Sequence, residues 1–159
     1  MKFEVDSKHQ IDWLSFRRDV RFGDSDGAGV VHFHQLFRWA HESWEESLQK
    51  YGLSSSNIFP CLSNKPEGLK VSLPIIHCHA DFRHPIQAGD QLIVDLRPEK
   101  LDKSCFGVQT KFRIEEKLVA EVVLRHLAID SKTRHRSILP HEIDLWLEAS
   151  SLFDGPRPV

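Results

Sequence analysis

The feature that most constrains the fold is a change of hydrophobic period early in the chain. From Leu14 to Phe22 apolar and polar residues alternate, with one break at Arg18, and this pattern predicts a strand with one buried face. From Leu36 to Tyr51 the apolar residues recur at helical spacing, and Gly52 follows at the position that commonly ends a helix. A helix this apolar on one side needs a sheet to pack against.

Four further strand-like runs follow the helix, at residues 69–83, 91–101, 104–115 and 118–130. Pro74 predicts a sheet edge or a bulge near the start of the first run. The connections between the runs are short, so the sequence predicts that consecutive runs are antiparallel neighbours. One long helix against one antiparallel sheet is an α+β arrangement, and a partner subunit is expected to cover the apolar residues left on the far side of the sheet.

Length and composition exclude several classes of protein. The length of 159 residues predicts one domain, at 13–150. We expect a flexible N-terminus at 1–12, a flexible tail at 151–159 and a last short helix at 140–149. The formal net charge of −2 is too balanced for a chain that mainly coats nucleic acid. No stretch approaches the roughly 20 apolar residues of a membrane span, and the start has no signal-peptide core. Three cysteines without metal-like spacing favour a reduced, cytoplasmic location.

The segment most suited to chemistry is a glycine-rich loop that leads into the helix. Residues 23–29 contain three glycines and two aspartates, Asp24 and Asp26. The first turn of a helix has unpaired N–H groups and the positive end of the helix dipole, so it can polarise a carbonyl oxygen that becomes negative during a reaction. A carboxylate beside it would supply or activate a nucleophile. The alternative is that either aspartate only caps the helix or stabilises a turn.

Two segments carry a resemblance to a known family. The run FGDSDGAGVVHFHQLFRWAHESWEESL resembles the active-site segment of hotdog-fold acyl-CoA thioesterases of the 4-hydroxybenzoyl-CoA type, and LPIIHCHADFRHPIQAGDQL resembles a second segment of that family. The pairing of GAGVV with LPIIH is most similar to the 1,4-dihydroxy-2-naphthoyl-CoA hydrolases, which serve phylloquinone synthesis in cyanobacteria and plants. The resemblance covers roughly residues 14–130. It implies a single hotdog domain, one long central helix wrapped by a curved antiparallel sheet.

The resemblance also implies catalytic roles. The second aspartate of the motif is Asp26, which would attack the thioester carbonyl as a nucleophile or activate water as a general base. Phe33, seven residues later, would donate its backbone N–H to the thioester oxygen. Many relatives have Tyr or His at the position of Phe33. In this chain His32 and His34 flank it, and neither matches the family register.

Further residues are predicted to contact the substrate, and each has a simpler interpretation. Gly29 would let the backbone lie close to the acyl group, and His77 would line the acyl pocket or be an ordinary strand histidine. Lys103, Ser104 and Arg134 lie in basic turns that would bind the coenzyme A phosphates or face solvent. The full set of predicted substrate contacts is Gly29, Val30, His32, His77, Lys103, Ser104 and Arg134.

The expected partners follow from the same family resemblance. The substrate is an acyl-CoA, and the chain is expected to form a homo-oligomer, a dimer or a dimer of dimers, with pockets at the interface. Neither a nucleic acid nor a membrane is expected as a partner. The ten histidines show no established metal spacing, so no metal or cofactor is predicted. The alternatives are a thioesterase for other aryl or short-chain acyl-CoAs, a non-catalytic acyl-CoA-binding hotdog protein, and an interaction module.

Overall fold

A five-stranded antiparallel sheet and one 19-residue helix dominate the structure, a computed structural model that describes residues 13–60 and 68–152. In chain order the elements are β1 (Ser15–Asp19), α1 (Phe33–Tyr51), β2 (Val71–Ser72), β3 (Ile75–Phe82), β4 (Gln91–Lys100), β5 (Cys105–Ile114), β6 (Lys117–Leu127), β7 (Ile129–Asp130) and α2 (His141–Ser151). Single 3-10 turns lie at Phe22–Asp24 and Ser55–Asn57. The α+β prediction is confirmed.

Helix α1 packs its apolar side against the sheet, as the periodicity predicts. Its buried apolar residues are Leu36, Trp39, Ala40, Trp44 and Leu48. Gly52 ends the helix in the left-handed region, with a φ of 106°, where a residue without a Cβ is favoured. These residues share one core with the inward faces of β4, β5 and β6. Because α1 lies across the sheet, the start of the helix is fixed relative to the strand ends.

The strand order corrects one prediction. The main sheet runs β1-β4-β5-β6-β3, so the run predicted at 69–83 contributes β3 at an edge beside β6, not beside β4. The connection from β3 to β4, residues 83–90, crosses three strand intervals, about 14 Å at roughly 4.8 Å each. Eight extended residues span about 26 Å, so a short connection permits this crossover as well as a hairpin.

Other features of the strand predictions hold. Pro74 separates β2 from β3, and β3 is an edge strand with a register shift between Ile75 and His77. Strands β4, β5 and β6 are consecutive antiparallel neighbours. The run predicted at 118–130 divides into β6 and β7, and β7 leaves the main sheet to pair with β2.

The domain boundaries can be compared with the structure only in part. Ser151, predicted to begin the tail, is the last residue of α2, while residues 1–12 and 153–159 lie outside the described residues. Within the described ranges, no helix is both long and apolar enough to cross a membrane.

The core contains a buried ionisable group, His126. Its ring stacks on Phe106 with 4.9 Å between ring centroids, and its Nδ1–H donates to the carbonyl oxygen of Leu73 at 2.9 Å. Burial lowers the pKa of His126 to about 4, from an ordinary value of 6.5. The folded chain therefore keeps this imidazole neutral at pH values where the unfolded chain protonates it.

We expect His126 to make the free energy of unfolding fall as the pH drops below 6.5, until the pH reaches the folded pKa. From pH 7.5 to pH 5 the loss from this group is about 2 kcal/mol, because the unfolded state binds a proton that the folded state does not. Urea unfolding at several pH values measures it. The variant His126→Phe should flatten the pH dependence, whereas His135→Phe, at an exposed histidine, should not. Equal slopes for wild type and His126→Phe would contradict the assignment.

Candidate active site

The loop before α1 is a tight, internally bonded turn. Ser25 and Val31 form an antiparallel bridge, and the Asp26 N–H donates to the carbonyl oxygen of Val30 at 2.8 Å. The Gly29 N–H donates to the carbonyl oxygen of Asp26 at 3.1 Å, and Gly29 has a φ of 77°, a conformation that favours glycine. The turn thus fixes the position of Asp26 relative to the start of the helix.

The start of α1 leaves one backbone donor open. Of the first four N–H groups, His32 N–H donates to the carbonyl oxygen of Asp24 at 2.9 Å and Gln35 N–H to that of His32 at 3.0 Å. The His34 N–H donates to Nδ1 of the capping residue His32 at 3.4 Å. Within the described part of the chain, the Phe33 N–H has no acceptor. An open N–H at the positive end of a helix is suited to bind a developing negative charge.

The carboxylate of Asp26 is accessible. The residue is exposed, and its Oδ1 accepts a hydrogen bond from the Ala28 N–H at 2.8 Å. Among the described residues it forms no ion pair. Asp24, the other acid of the loop, likewise accepts one backbone hydrogen bond, from the Arg21 N–H at 2.8 Å. Asp24 is only half-buried and does not line the cavity described next, whereas Asp26 is exposed and does, which makes Asp26 the acid available for chemistry.

Asp26 and Phe33 line one cavity of about 440 Å³, a volume typical of small-molecule sites. One wall comes from the loop and the helix start and comprises Asp26, Val30, Val31, His32 and Phe33. The other wall, which we call the crossover wall, comprises Phe82, Arg83, His84, Pro85 and Ile86.

The crossover wall is held by backbone hydrogen bonds. Arg83 N–H and His84 N–H both donate to the carbonyl oxygen of Val119, at 2.8 and 3.1 Å. The carbonyl oxygen of the buried Ile86 accepts from the Val31 N–H at 2.8 Å. The connection from β3 to β4 is therefore attached both to the sheet and to the loop that carries Asp26.

Sequence reasoning missed the crossover wall. Its residues lie within the segment LPIIHCHADFRHPIQAGDQL, where Phe82 and Pro85 occupy two positions of the family pattern. That pattern was the available signal. A hairpin between β3 and β4 would have kept these residues at a sheet edge, whereas the crossover brings them to the start of α1.

The remaining predicted contacts lie elsewhere in the chain. His77 is exposed on β3, with Nε2 3.2 Å from Nδ1 of His79, and does not line the cavity. Lys103 is exposed in the turn between β4 and β5, while Ser104 beside it is buried. Arg134 is exposed in the turn after β7, with a φ of 65°.

The structure brings the two basic turns together. The Leu139 N–H donates to the carbonyl oxygen of Lys103 at 2.9 Å, and Arg136 lies 3.9 Å from Asp102. Both turns lie at the end of the sheet where β3 begins, whereas the cavity lies where β3 ends at Phe82. Eight residues of strand separate the two ends by about 23 Å.

A larger cavity of about 670 Å³ lies between β4 and α2. Lys100 and Asp144, both of which line it, form an ion pair at 2.7 Å. None of the predicted site residues lines it, so the smaller cavity at the start of α1 is the candidate active site. Among the described residues, no group of three or more His, Cys, Asp or Glu side chains could hold a metal ion.

Comparison with known proteins agrees with this geometry. Residues 20–147 match the model of the thioesterase-like superfamily. A 1,4-dihydroxy-2-naphthoyl-CoA hydrolase of Prochlorococcus marinus strain MIT 9303 is 58% identical over 140 residues, which cover 88% of this chain and 93% of that protein.

Two crystal structures have the same fold. A candidate thioesterase from Prochlorococcus marinus strain MIT 9313 superposes with a TM-score of 0.84 at 59% identity, covering 87% of this chain and 96% of the other. A 1,4-dihydroxy-2-naphthoyl-CoA thioesterase from Synechocystis superposes with a TM-score of 0.73 at 27% identity, covering 90% and 98%.

Proposed function

Since the chain belongs to the thioesterase-like superfamily, we propose that it hydrolyses an aromatic acyl-CoA, with 1,4-dihydroxy-2-naphthoyl-CoA as the leading substrate. The products are 1,4-dihydroxy-2-naphthoate and coenzyme A, as in phylloquinone biosynthesis. The observation that carries the proposal is that two residues line the same cavity: Asp26, whose carboxylate forms no ion pair among the described residues, and Phe33, whose backbone N–H has no acceptor there.

The open N–H supplies the oxyanion contact. When the thioester carbonyl is attacked, its oxygen becomes negative, and the Phe33 N–H together with the helix dipole stabilises that charge. One such donor typically contributes about 2.7–4 kcal/mol to the transition state. Because the donor is a backbone group, the side chain at this position is free to vary.

Asp26 supplies the second half of the reaction. As a nucleophile, the carboxylate attacks the thioester carbonyl, forms a mixed anhydride and releases the thiolate, and water then hydrolyses the anhydride. As a general base, it takes a proton from a water molecule that attacks the thioester carbonyl directly and displaces the thiolate. In either route the leaving thiolate needs little help from an acid, because thiols of this kind have a pKa near 8.5.

The cavity wall suits an aromatic acyl group. Phe33 and Phe82 both line the cavity, and 61% and 43% of their surfaces are exposed in the single chain. Aromatic rings with free faces and edges stack on other aromatic rings. We assign the acyl group to the space between the two walls of the cavity. Val30 and His32 belong to the wall formed by the loop and the helix start, and Gly29 would let the backbone of that loop lie close to the acyl group.

We further propose that the chain works as a homodimer or a dimer of dimers joined along β3. This strand is an edge strand of which every residue but Ala80 is exposed, including Ile75, Ile76 and Phe82. Antiparallel pairing of two β3 strands about a two-fold axis would satisfy both edges.

The same two-fold pairing would complete the site. It would set the beginning of one β3 beside the end of the other, so His77 and the basic turns of one chain would approach the Asp26 cavity of its partner. The exposed Lys103 and Arg134 would then contact the coenzyme A of the partner's site, which they are too far away to do within one chain. Ser104, which is buried, would support the Lys103 turn through its backbone hydrogen bonds to Asp102 and Ala128.

We place the reaction in the cytoplasm. Cys78 and Cys105 are free thiols in the described part of the chain, and unpaired cysteines are typical of a reducing compartment.

Replacing Asp26 tests the reaction. We expect Asp26→Asn to lower thiol release from 1,4-dihydroxy-2-naphthoyl-CoA by at least about 10²-fold, because the amide can neither attack nor accept a proton. Asp24→Asn is the matched control, since its amide oxygen still accepts the Arg21 N–H. Absence of turnover by wild type, or equal rates for wild type and Asp26→Asn, would refute the hydrolase proposal. Equal rates with benzoyl-CoA or short aliphatic acyl-CoAs would refute the substrate assignment alone.

The oligomer is tested by sedimentation velocity. We expect wild type to sediment as a dimer or tetramer, and Ile76→Lys, which places a charge on the β3 edge, to shift the population toward monomer and to reduce thiol release at low protein concentration. Leu152→Lys is the control, because Leu152 is also exposed but follows α2, away from β3 and the basic turns. A monomeric wild type with full activity would rule out the shared site.

A further inference from the structure

We propose that His84 is a specificity-determining residue that hydrogen-bonds a ring hydroxyl of the acyl group, so that the enzyme selects hydroxylated aryl thioesters over otherwise identical ones without that hydroxyl. This inference rests on the proposed function and concerns the same cavity. His84 is part of the crossover wall and shares the cavity with Asp26 and Phe33.

The backbone at His84 is fixed from two sides. Its N–H donates to the carbonyl oxygen of Val119 at 3.1 Å, beside the parallel bond from Arg83 at 2.8 Å. Pro85 follows directly, and a residue before proline is restricted to extended conformations. A side chain on such a backbone presents its ring nitrogens from a defined position, which selection between similar substrates requires.

Each of the other polar side chains of the cavity has a hydrogen-bond partner among the described residues, and Asp26 is in addition assigned to the reacting carbonyl. The Arg83 guanidinium pairs with Glu121 at 3.0 Å. His32 accepts from the His34 N–H and its ring contacts that of His34, and the Asp26 carboxylate accepts from Ala28. In contrast, the exposed imidazole of His84 has no hydrogen bond or ion pair among the described residues. It is therefore the polar side chain of the cavity that has neither a partner among the described residues nor a role at the reacting carbonyl, so it can bind a ring hydroxyl.

The chemistry of the substrate indicates which ring hydroxyl His84 would hydrogen-bond. In a 1,4-dihydroxy-2-naphthoyl thioester the 1-hydroxyl is adjacent to the carbonyl and hydrogen-bonds internally to its oxygen. The 4-hydroxyl lies on the far side of the ring from the 1-hydroxyl and has no internal partner. With the carbonyl oxygen on the Phe33 N–H and the ring beside Phe82, the 4-hydroxyl is the group left to find a partner in the crossover wall. A neutral imidazole can accept its proton or donate to its oxygen.

Two substrates that differ by one hydroxyl test the inference. Thiol release is measured with 1,4-dihydroxy-2-naphthoyl-CoA and with 1-hydroxy-2-naphthoyl-CoA, for wild type, His84→Ala and His84→Gln. We expect wild type to favour the dihydroxy substrate in kcat/KM by about tenfold, the range of one hydrogen bond to a substrate hydroxyl. His84→Ala should lose that preference by losing rate on the dihydroxy substrate only, and His84→Gln should recover part of it.

The outcomes separate the two proposals. Wild type that hydrolyses neither thioester refutes the proposed function and this inference with it. Wild type that hydrolyses both, with His84→Ala lowering the two rates equally, refutes the inference and leaves the proposed function standing, because a purely structural role would not distinguish the substrates. His141→Ala, at an exposed histidine at the start of α2 and outside the cavity, should keep the wild-type preference.

Discussion

The account depends on the hydrogen bonding at the start of α1, where three of four backbone donors are satisfied and one is not. The Asp24 carbonyl and the capping residue His32 accept from the donors on either side of Phe33, and the N–H of Phe33, a residue that lines the candidate site, has no acceptor in the described chain. An unsatisfied N–H is normally unfavourable once water is excluded. Here it is the feature that a thioester oxygen would use, because a developing oxyanion gains more from such a donor than a neutral carbonyl does.

The rest of the fold holds this arrangement in place. The apolar side of α1 packs into the core against β4, β5 and β6, which fixes the direction in which its N-terminus points. The connection from β3 to β4 crosses the sheet and bonds to Val31 through Ile86. That crossover gives the cavity its second wall. Fold and site are thus coupled, because the same eight-residue connection that joins β3 to β4 also shapes the space beside Asp26.

Periodicity in the sequence was enough to predict the main helix and most strands, and the motif resemblance was enough to select Asp26 and Phe33, two residues that line one cavity. Local patterns determine helix α1, its end at Gly52 and the consecutive pairing of β4, β5 and β6. These elements can therefore be predicted from a single sequence. The position of β3 depends on pairing with β6, more than thirty residues away, and loop length alone allows either outcome. For the same reason Arg83 and His84 were missed, and His77 was predicted to lie in a pocket that a single chain does not give it.

The most direct test removes the Phe33 N–H without disturbing the helix. Proline is well tolerated at the first helical position, and His32 before it already has the extended conformation that proline requires, with φ −67° and ψ 138°. The measurement is kcat for thiol release by Phe33→Pro and Phe33→Ala, with helix content checked by circular dichroism. The account predicts a loss of about 10²–10³-fold in kcat for Phe33→Pro relative to Phe33→Ala, which keeps the donor. Equal kcat values for two folded variants would contradict it.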